Sequence, residues 1–79
     1  MNSIEYKGYE IEAVPDQLAE SGEWTININI FLHRGSKTTK KNFSAGNTFR
    51  TKDEAIQHSF QFGKQIIDGQ SDNCSVDDL

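Results

Sequence analysis

The chain has 79 residues, a net charge of −4 and one cysteine. This length accommodates a single domain, and a lone Cys74 excludes a disulfide within the chain. No apolar run approaches the roughly 18 residues of a membrane span, and the first residues lack the basic and apolar regions of a secretion signal. Two distant histidines give no metal-ligand spacing. We therefore expect a cytoplasmic protein without metal or cofactor and without a membrane partner.

The charges are segregated along the chain. Residues 1–29 carry one lysine against six acidic residues, residues 30–64 carry seven cations against two acidic residues, and residues 65–79 carry four aspartates. One interpretation is that these charges solvate strand edges and a solubilising tail. The other is that the basic middle forms a patch for an anionic partner.

The first predicted element is a strand over residues 4–14. Its apolar alternation changes parity at Lys7-Gly8. A β-bulge at Gly8 restores a single core-facing side, because an extra residue resets the facing by one. The alternative is a tight turn at the same place, which splits the segment into two strands. Residues 15–22 contain proline, glycine and small polar residues and are predicted to form a loop.

Residues 23–34, EWTININIFLHR, form the central predicted strand. Strict alternation over about ten residues is typical of a half-buried strand. The apolar parity comprises Trp24, Ile26, Ile28, Ile30 and Leu32. The other parity comprises Thr25, Asn27, Asn29, Phe31 and His33. One face therefore needs an apolar cover, and the opposite face presents amides.

The rest of the chain supplies that cover. Residues 40–49 are predicted to form a third strand with an irregularity near residues 44–47, which are weak strand formers. Thr51 and Glu54 have the capping-box spacing that begins a helix, and Gly69 ends it. Gly63 lies inside the apolar stripe of this helix, which predicts close approach to the sheet, with Trp24 as the expected neighbour.

Together these elements predict an α+β domain over residues 1–69. It is a three-stranded antiparallel meander with one helix packed on one face (β-β-β-α), followed by a disordered acidic tail over residues 70–79. The second face of the sheet remains open. Acidic side chains of the first strand are expected along one side of that face, and Lys40 with its neighbours along the other.

The order of these features resembles small bacterial HlyU-like proteins. The matching residues are Tyr6-Lys7-Gly8-Tyr9, Ile11, Pro15, Gly22, Trp24, Phe49, Thr51, Glu54-Ala55 and Ile66-Ile67-Asp68-Gly69. That family is described as transcription activators, so the resemblance implies a regulatory role. The pattern also resembles plant ethylene-response DNA-binding domains, which read DNA with arginines and tryptophans on the sheet. Here asparagines and glutamates occupy the corresponding face.

We expect a non-enzymatic protein, because one helix on a small sheet leaves little room for a catalytic pocket. The predicted activity is protein binding through the open face, with a homodimer as one form of it, either face to face or edge to edge. The predicted partner-binding residues are Asn27, Asn29, Phe31 and His33. In a two-fold face-to-face dimer each acidic side would meet a basic side, with Phe31 near the axis.

The alternative is a nucleic-acid-binding transcriptional regulator that uses a basic patch within residues 34–52. The predicted members of that patch are Arg34, Lys37, Lys40 and Lys41. The acidic first strand and tail oppose this alternative, because phosphate-binding domains are usually basic overall.

Overall fold

The computed structural model describes residues 2–71 and 74–79. The elements are β1 (Ser3–Tyr6), β2 (Tyr9–Ala13), β3 (Asp16–Gln17), β4 (Trp24–Arg34), β5 (Lys37–Phe49) and α1 (Lys52–Ile67). They form one antiparallel sheet with a helix that follows it, which confirms the α+β class. The three-stranded prediction is wrong, because the sheet has five strands.

The first additional strand arises at Lys7-Gly8. Lys7 has a φ of 50° and Gly8 a φ of 86°, and positive φ at both central positions defines the two-residue hairpin turn that matches the twist of antiparallel strands. The predicted bulge is therefore wrong, and the tight turn forms instead. It pairs Tyr6 with Tyr9 and Ile4 with Ile11. The apolar parity changes because the chain reverses direction.

The second additional strand is β3, which occupies part of the predicted loop. It pairs Asp16 with Thr25 and Gln17 with Trp24 at the start of β4, while β2 pairs with β4 from Ile28 to Leu32. Thus β2 and β3 share one side of β4 and β5 covers its other side. Leu18, which directly follows β3, is 40% exposed.

The predicted irregularity in the third strand is confirmed. In the β4–β5 hairpin Ala45 pairs with Ile26, but the next pair along β4 joins Thr25 to Thr48. Residues 46 and 47 are therefore extra residues in β5, as in a bulge. Because two residues are inserted, the alternation of β5 is preserved across the bulge. Phe49 lies opposite Trp24, and the apolar residues of β5 stay on the helix side.

Helix α1 packs on the apolar face of the sheet. Ile26, Ile28 and Ile30 are 6%, 0% and 0% exposed, which confirms the alternation predicted for the central strand. The helix buries a row of mostly small residues against them: Ala55, Ser59, Gly63 and Ile66. Small side chains permit a close approach of the helix axis to the sheet, while larger residues on either side of the row remain partly exposed.

The ends of α1 follow the sequence signals. Thr51 Oγ1 accepts a hydrogen bond of 3.2 Å from the backbone N–H of Glu54 and donates one of 3.1 Å to the Glu54 carboxylate. At the other end Gly69 has a φ of 75° and its N–H donates to Ile66 O, as in a glycine-terminated helix. Within residues 2–71 and 74–79, no helix has both the length and the apolar character required to cross a bilayer.

Residues 74–79, here called the tail segment, lie against the sheet. Val76 is 7% exposed and belongs to the main hydrophobic cluster, against which Cys74 and Leu79 also pack. This differs from the expectation of a disordered tail over residues 70–79, of which residues 72–73 lie outside the described part. The composition is acidic, but Val76 and Leu79 provide apolar contacts that offset the cost of ordering a short segment.

Candidate functional site

The face of the sheet opposite α1 has no element packed on it among the described residues. Strand register defines this open face. Its residues are Ser3, Glu5, Glu10, Glu12, Asp16, Thr25, Asn27, Asn29, Phe31, His33, Thr38, Lys40, Asn42, Ser44 and Thr48. The predicted partner-binding residues all lie on it, and the predicted arrangement of acidic and basic sides follows from the same register.

One row of side chains crosses the open face from edge to edge. Glu5 pairs with Glu10, Glu10 with Phe31, and Phe31 with Lys40. Directly paired residues on one face have Cβ atoms about 5 Å apart. Phe31 therefore lies between an acidic side and a basic side, within reach of both.

A ladder of amides runs beside this row. Asn42 Nδ2 lies 2.8 Å from Asn27 Oδ1 and 3.0 Å from Asn29 Oδ1. Asn27 in turn donates to the Asp16 carboxylate at 3.1 Å, and Asn29 to the Glu12 carboxylate at 3.0 Å. Because these hydrogen bonds are made within the protein, a partner can cover the ladder with a smaller desolvation cost than free amides would impose.

His33 lies at one end of the open face and is fixed on both ring nitrogens. Nε2 is 3.0 Å from Glu10 Oε1, and Nδ1 is 3.0 Å from Thr38 Oγ1. Its ring is stacked on Phe31, with centroids 6.3 Å apart and an interplanar angle of 6°. Glu10 is 23 residues from His33 in the sequence and becomes adjacent only through the β2–β4 register, so the sequence alone gives no signal for this pair.

A shallow depression of about 250 Å³ adjoins His33, lined by Glu5, Gly8, Tyr9 and Glu10. Another of about 220 Å³ lies on the helix side between α1 and β5. Within the described ranges no group of three or more histidine, cysteine or acidic side chains is placed to hold a metal ion. The open face presents a broad surface of stacked rings and hydrogen-bonded amides.

The four residues of the predicted basic patch are divided between two faces. Lys40 is on the open face opposite Phe31, whereas Lys41 pairs with Ile30 on the helix face. Arg34 and Lys37 pair with each other at the end of the β4–β5 hairpin. Adjacent strand residues point to opposite faces, so Lys40 and Lys41 cannot act on one ligand surface.

Two of these cations contact the tail segment. Lys41 Nζ is 3.0 Å from Asp78 Oδ1, and Arg34 donates to Leu79 O at 2.7 Å. The hydrogen bond from Lys41 is the main reason that the pKa of Asp78 lies below its ordinary value. The sequence showed the opposite charges of the two regions but not that they meet.

A second ion pair fastens the β1–β2 turn to the end of the helix. Asp68 accepts from Lys7 at 2.6 Å and from Tyr6 at 2.8 Å. The bond from Lys7 is the largest cause of the lowered pKa of Asp68. The same carboxylate raises the pKa of Lys7 and that of Tyr6 through its hydrogen bonds. This cluster holds the β1–β2 hairpin, and with it Glu5 and Glu10, in place.

In comparisons with protein-family models, with curated proteins and with solved structures, nothing matches this chain. The resemblance to HlyU-like proteins therefore stays a prediction. Function has to be inferred from the open face itself, because a fold alone does not define an activity.

Proposed function

We propose that this protein is a non-catalytic binding module that acts through protein–protein contact on its open face, and that the occupant of this face is a second copy of the chain. The single observation that supports this proposal is the row Glu10–Phe31–Lys40, with a carboxylate, an aromatic ring and an ammonium group in order across the sheet. When a second copy presents the same row in the opposite order, each carboxylate faces an ammonium group and the two aromatic rings face each other.

The charge order selects one symmetry axis. If the two-fold axis runs parallel to the strands and passes over Phe31, each Glu10 faces Lys40 of the other copy and the two phenylalanines meet. If the axis runs along the row, Glu10 faces Glu10, which is repulsive. The first arrangement gives an aligned sandwich in which two sheets pack about 10 Å apart. A two-fold interface of this kind is closed and self-complementary.

Net charge opposes this association. The open face carries four carboxylates, on Glu5, Glu10, Glu12 and Asp16, against the single ammonium of Lys40. Two such faces repel each other at long range, and salt screens this repulsion within about 10 Å at 0.1 M. We therefore expect a weak dimer whose association strengthens between about 20 and 150 mM salt. Hydrophobic contact of the Phe31 rings provides the attraction that remains at the higher salt concentration.

Sedimentation equilibrium over a wide concentration range tests the proposal. Phe31→Ala should abolish self-association, because it removes the apolar contact at the axis. The matched control is Phe62→Ala, since Phe62 is also a half-buried phenylalanine but lies on α1, across the sheet from the open face. A strictly monomeric wild-type protein at high micromolar concentration, at both salt concentrations, would refute the dimer.

The dependence on salt distinguishes the nucleic-acid alternative from the dimer. Binding to a short DNA duplex weakens steeply as salt rises, because phosphate contacts release counterions. Self-association of two acidic faces is expected to change in the opposite direction. Duplex binding at about 20 mM salt that is lost in Lys40→Glu would favour the alternative over the dimer.

A further inference from the structure

The tail segment packs on the helix side of β4 and β5, against a surface formed by Arg34, Lys41 and Phe43 that is here called the groove. The groove is on the opposite face of the sheet from the proposed dimer surface. Val76 is 7% exposed and lies in the same buried cluster as Phe43, and Leu79 packs against that cluster. Two apolar residues with a spacing of three therefore anchor the segment. Asp77 and Asp78, between them, remain exposed.

Polar contacts fix the direction of the segment in the groove. Lys41 Nζ donates to Ser75 O at 3.3 Å and contacts both oxygens of Asp78, at 3.0 and 3.1 Å. Arg34 donates to Leu79 O at 2.7 Å. The Lys41 ammonium also lies 5.4 Å from the centroid of the Phe43 ring. The groove thus combines an aromatic side chain with two cations that meet one side-chain carboxylate and two main-chain oxygens.

The segment is held by side chains of the groove. Its Leu79 N–H donates to Val76 O within the segment itself, at 3.0 Å, and the segment belongs to no strand of the sheet. The Lys41 and Asp78 side chains are 38% and 66% exposed, and exposed ion pairs contribute little. A segment that is anchored by one buried side chain and forms no strand pairing opens more easily than the strands beneath it.

We propose that this groove is a binding site for acidic peptide segments with apolar residues at i and i+3 and a carboxylate at i+2, and that the tail segment is its intramolecular occupant. The site consists of Arg34, Lys41 and Phe43. The tail segment competes with a partner peptide at the millimolar effective concentration that a short connection provides. Weakly binding peptides therefore cannot displace the tail segment, whereas a peptide that binds the groove more tightly can.

Peptide titration of the full chain tests this proposal. The probe is a labelled synthetic peptide, Ser-Val-Asp-Asp-Leu. It is titrated with the full-chain variant Val76→Asp, in which a charge at the buried anchor position releases the tail segment. We expect this variant to bind the peptide about tenfold or more tightly than the wild type, since the competing segment acts at millimolar concentration. Amide shifts of Lys41 and Phe43 report where the peptide binds, and circular dichroism verifies that the variant is folded.

Adjacent lysines provide the matched control. In the Val76→Asp background, Lys41→Glu should abolish peptide binding, whereas Lys40→Glu should leave it unchanged because Lys40 is on the other face of the sheet. The peptide Ser-Val-Asn-Asn-Leu should bind at least several-fold more weakly than the acidic probe, because it lacks the charge that Lys41 meets. Absence of binding to Val76→Asp at millimolar peptide, or shifts confined to the open face, would overturn the proposal.

Discussion

A Cβ atom at Gly63 would lie 2.7 Å from Cγ2 of Ile11 and 2.9 Å from its Cδ1. Ile11 is fully buried, and it is the neighbour that the helix approaches most closely at this position. The sequence had predicted close approach but with Trp24, which instead lies near the start of the helix beneath Lys52. The contact fixes the depth at which α1 packs on the sheet.

Gly63→Ala is expected to destabilise the protein. Overpacking a dense core costs about 1–3 kcal/mol, and the higher helix propensity of alanine returns about 1 kcal/mol. We expect a net loss of up to about 2 kcal/mol in the free energy of unfolding, measured by urea denaturation. Gly46→Ala is the control, since no atom lies within 4 Å of its Cβ position. In the Ile11→Ala background, adding Gly63→Ala should not lower the free energy of unfolding, because the side chain that it would overlap is gone. A further loss of stability in the double variant would contradict this explanation.

Charge reversal tests the symmetry of the proposed dimer. Lys40→Glu alone places like charges opposite each other at two symmetry-related positions, and so does Glu10→Lys alone. We expect Lys40→Glu to weaken self-association by about tenfold, because exposed pairs contribute about 0.2–1 kcal/mol each. Glu10→Lys should weaken it less, because it also lowers the negative charge of the open face, and the double variant Glu10→Lys/Lys40→Glu should restore it. Sedimentation equilibrium of the wild type, the two single variants and the double variant gives the four dissociation constants of this double-mutant cycle. Additive losses in the double variant would exclude the axis parallel to the strands.

The Lys7–Asp68–Tyr6 cluster should make stability depend on pH at both extremes. The pKa of Asp68 is lowered from 3.8 in the folded state, so its contribution is complete above that value and is lost as pH falls through the folded pKa. The pKa of Lys7 is raised from 10.5 and that of Tyr6 from 10.0. Their contributions are complete below those values and are lost as pH rises through the folded pKa values.

Asp68→Asn should therefore flatten the stability profile at both ends. Urea denaturation between about pH 2 and pH 11 measures this, with Glu20→Gln as a surface control. We expect the wild type and the variant to differ most on the plateau between the two transitions and to converge outside it. A constant difference at all pH values would show that the residue acts through packing and not through its charge.

Asn42→Ala tests whether the amide ladder contributes to the fold. This change removes the donor shared by Asn27 and Asn29, and one partly exposed hydrogen-bond group contributes about 1 kcal/mol. We expect a loss of that size by urea denaturation. Ser44→Ala, the next open-face position along β5, should change stability by less than about 0.5 kcal/mol. Equal effects of both changes would mean that the ladder is not a distinct stabilising unit.

Periodicity predicted the parts of this fold that depend on one strand at a time. The alternation of β4, the capping of α1 by Thr51 and the irregularity after Ala45 are all local features of the chain. The turn at Lys7-Gly8 was not predicted correctly, because a bulge and a hairpin turn produce the same change of parity. A lysine at positive φ gives no signal comparable to the asparagine favoured there.

The candidate site was predicted as a face but not as a set of contacts. Which side chains share the open face follows from parity alone, so Asn27 and Phe31 were placed correctly. The Glu10–His33 pair and the Lys41–Asp78 pair join residues far apart in sequence, and only the register brings them together. The tail segment was expected to be disordered because its composition is acidic, and composition does not show that Val76 has a groove to enter.

The two additional residues in β5 have a consequence for solubility. β5 is an outer strand of 13 residues, and a flat unpaired strand of that length would offer a template on which further chains could stack into fibres. The bulge at residues 46–47 interrupts the template towards one end of the strand, and Lys37, Lys40 and Lys41 place positive charge towards the other. The lysines that first suggested a ligand site thus also oppose, through charge repulsion, the pairing of one β5 edge with another.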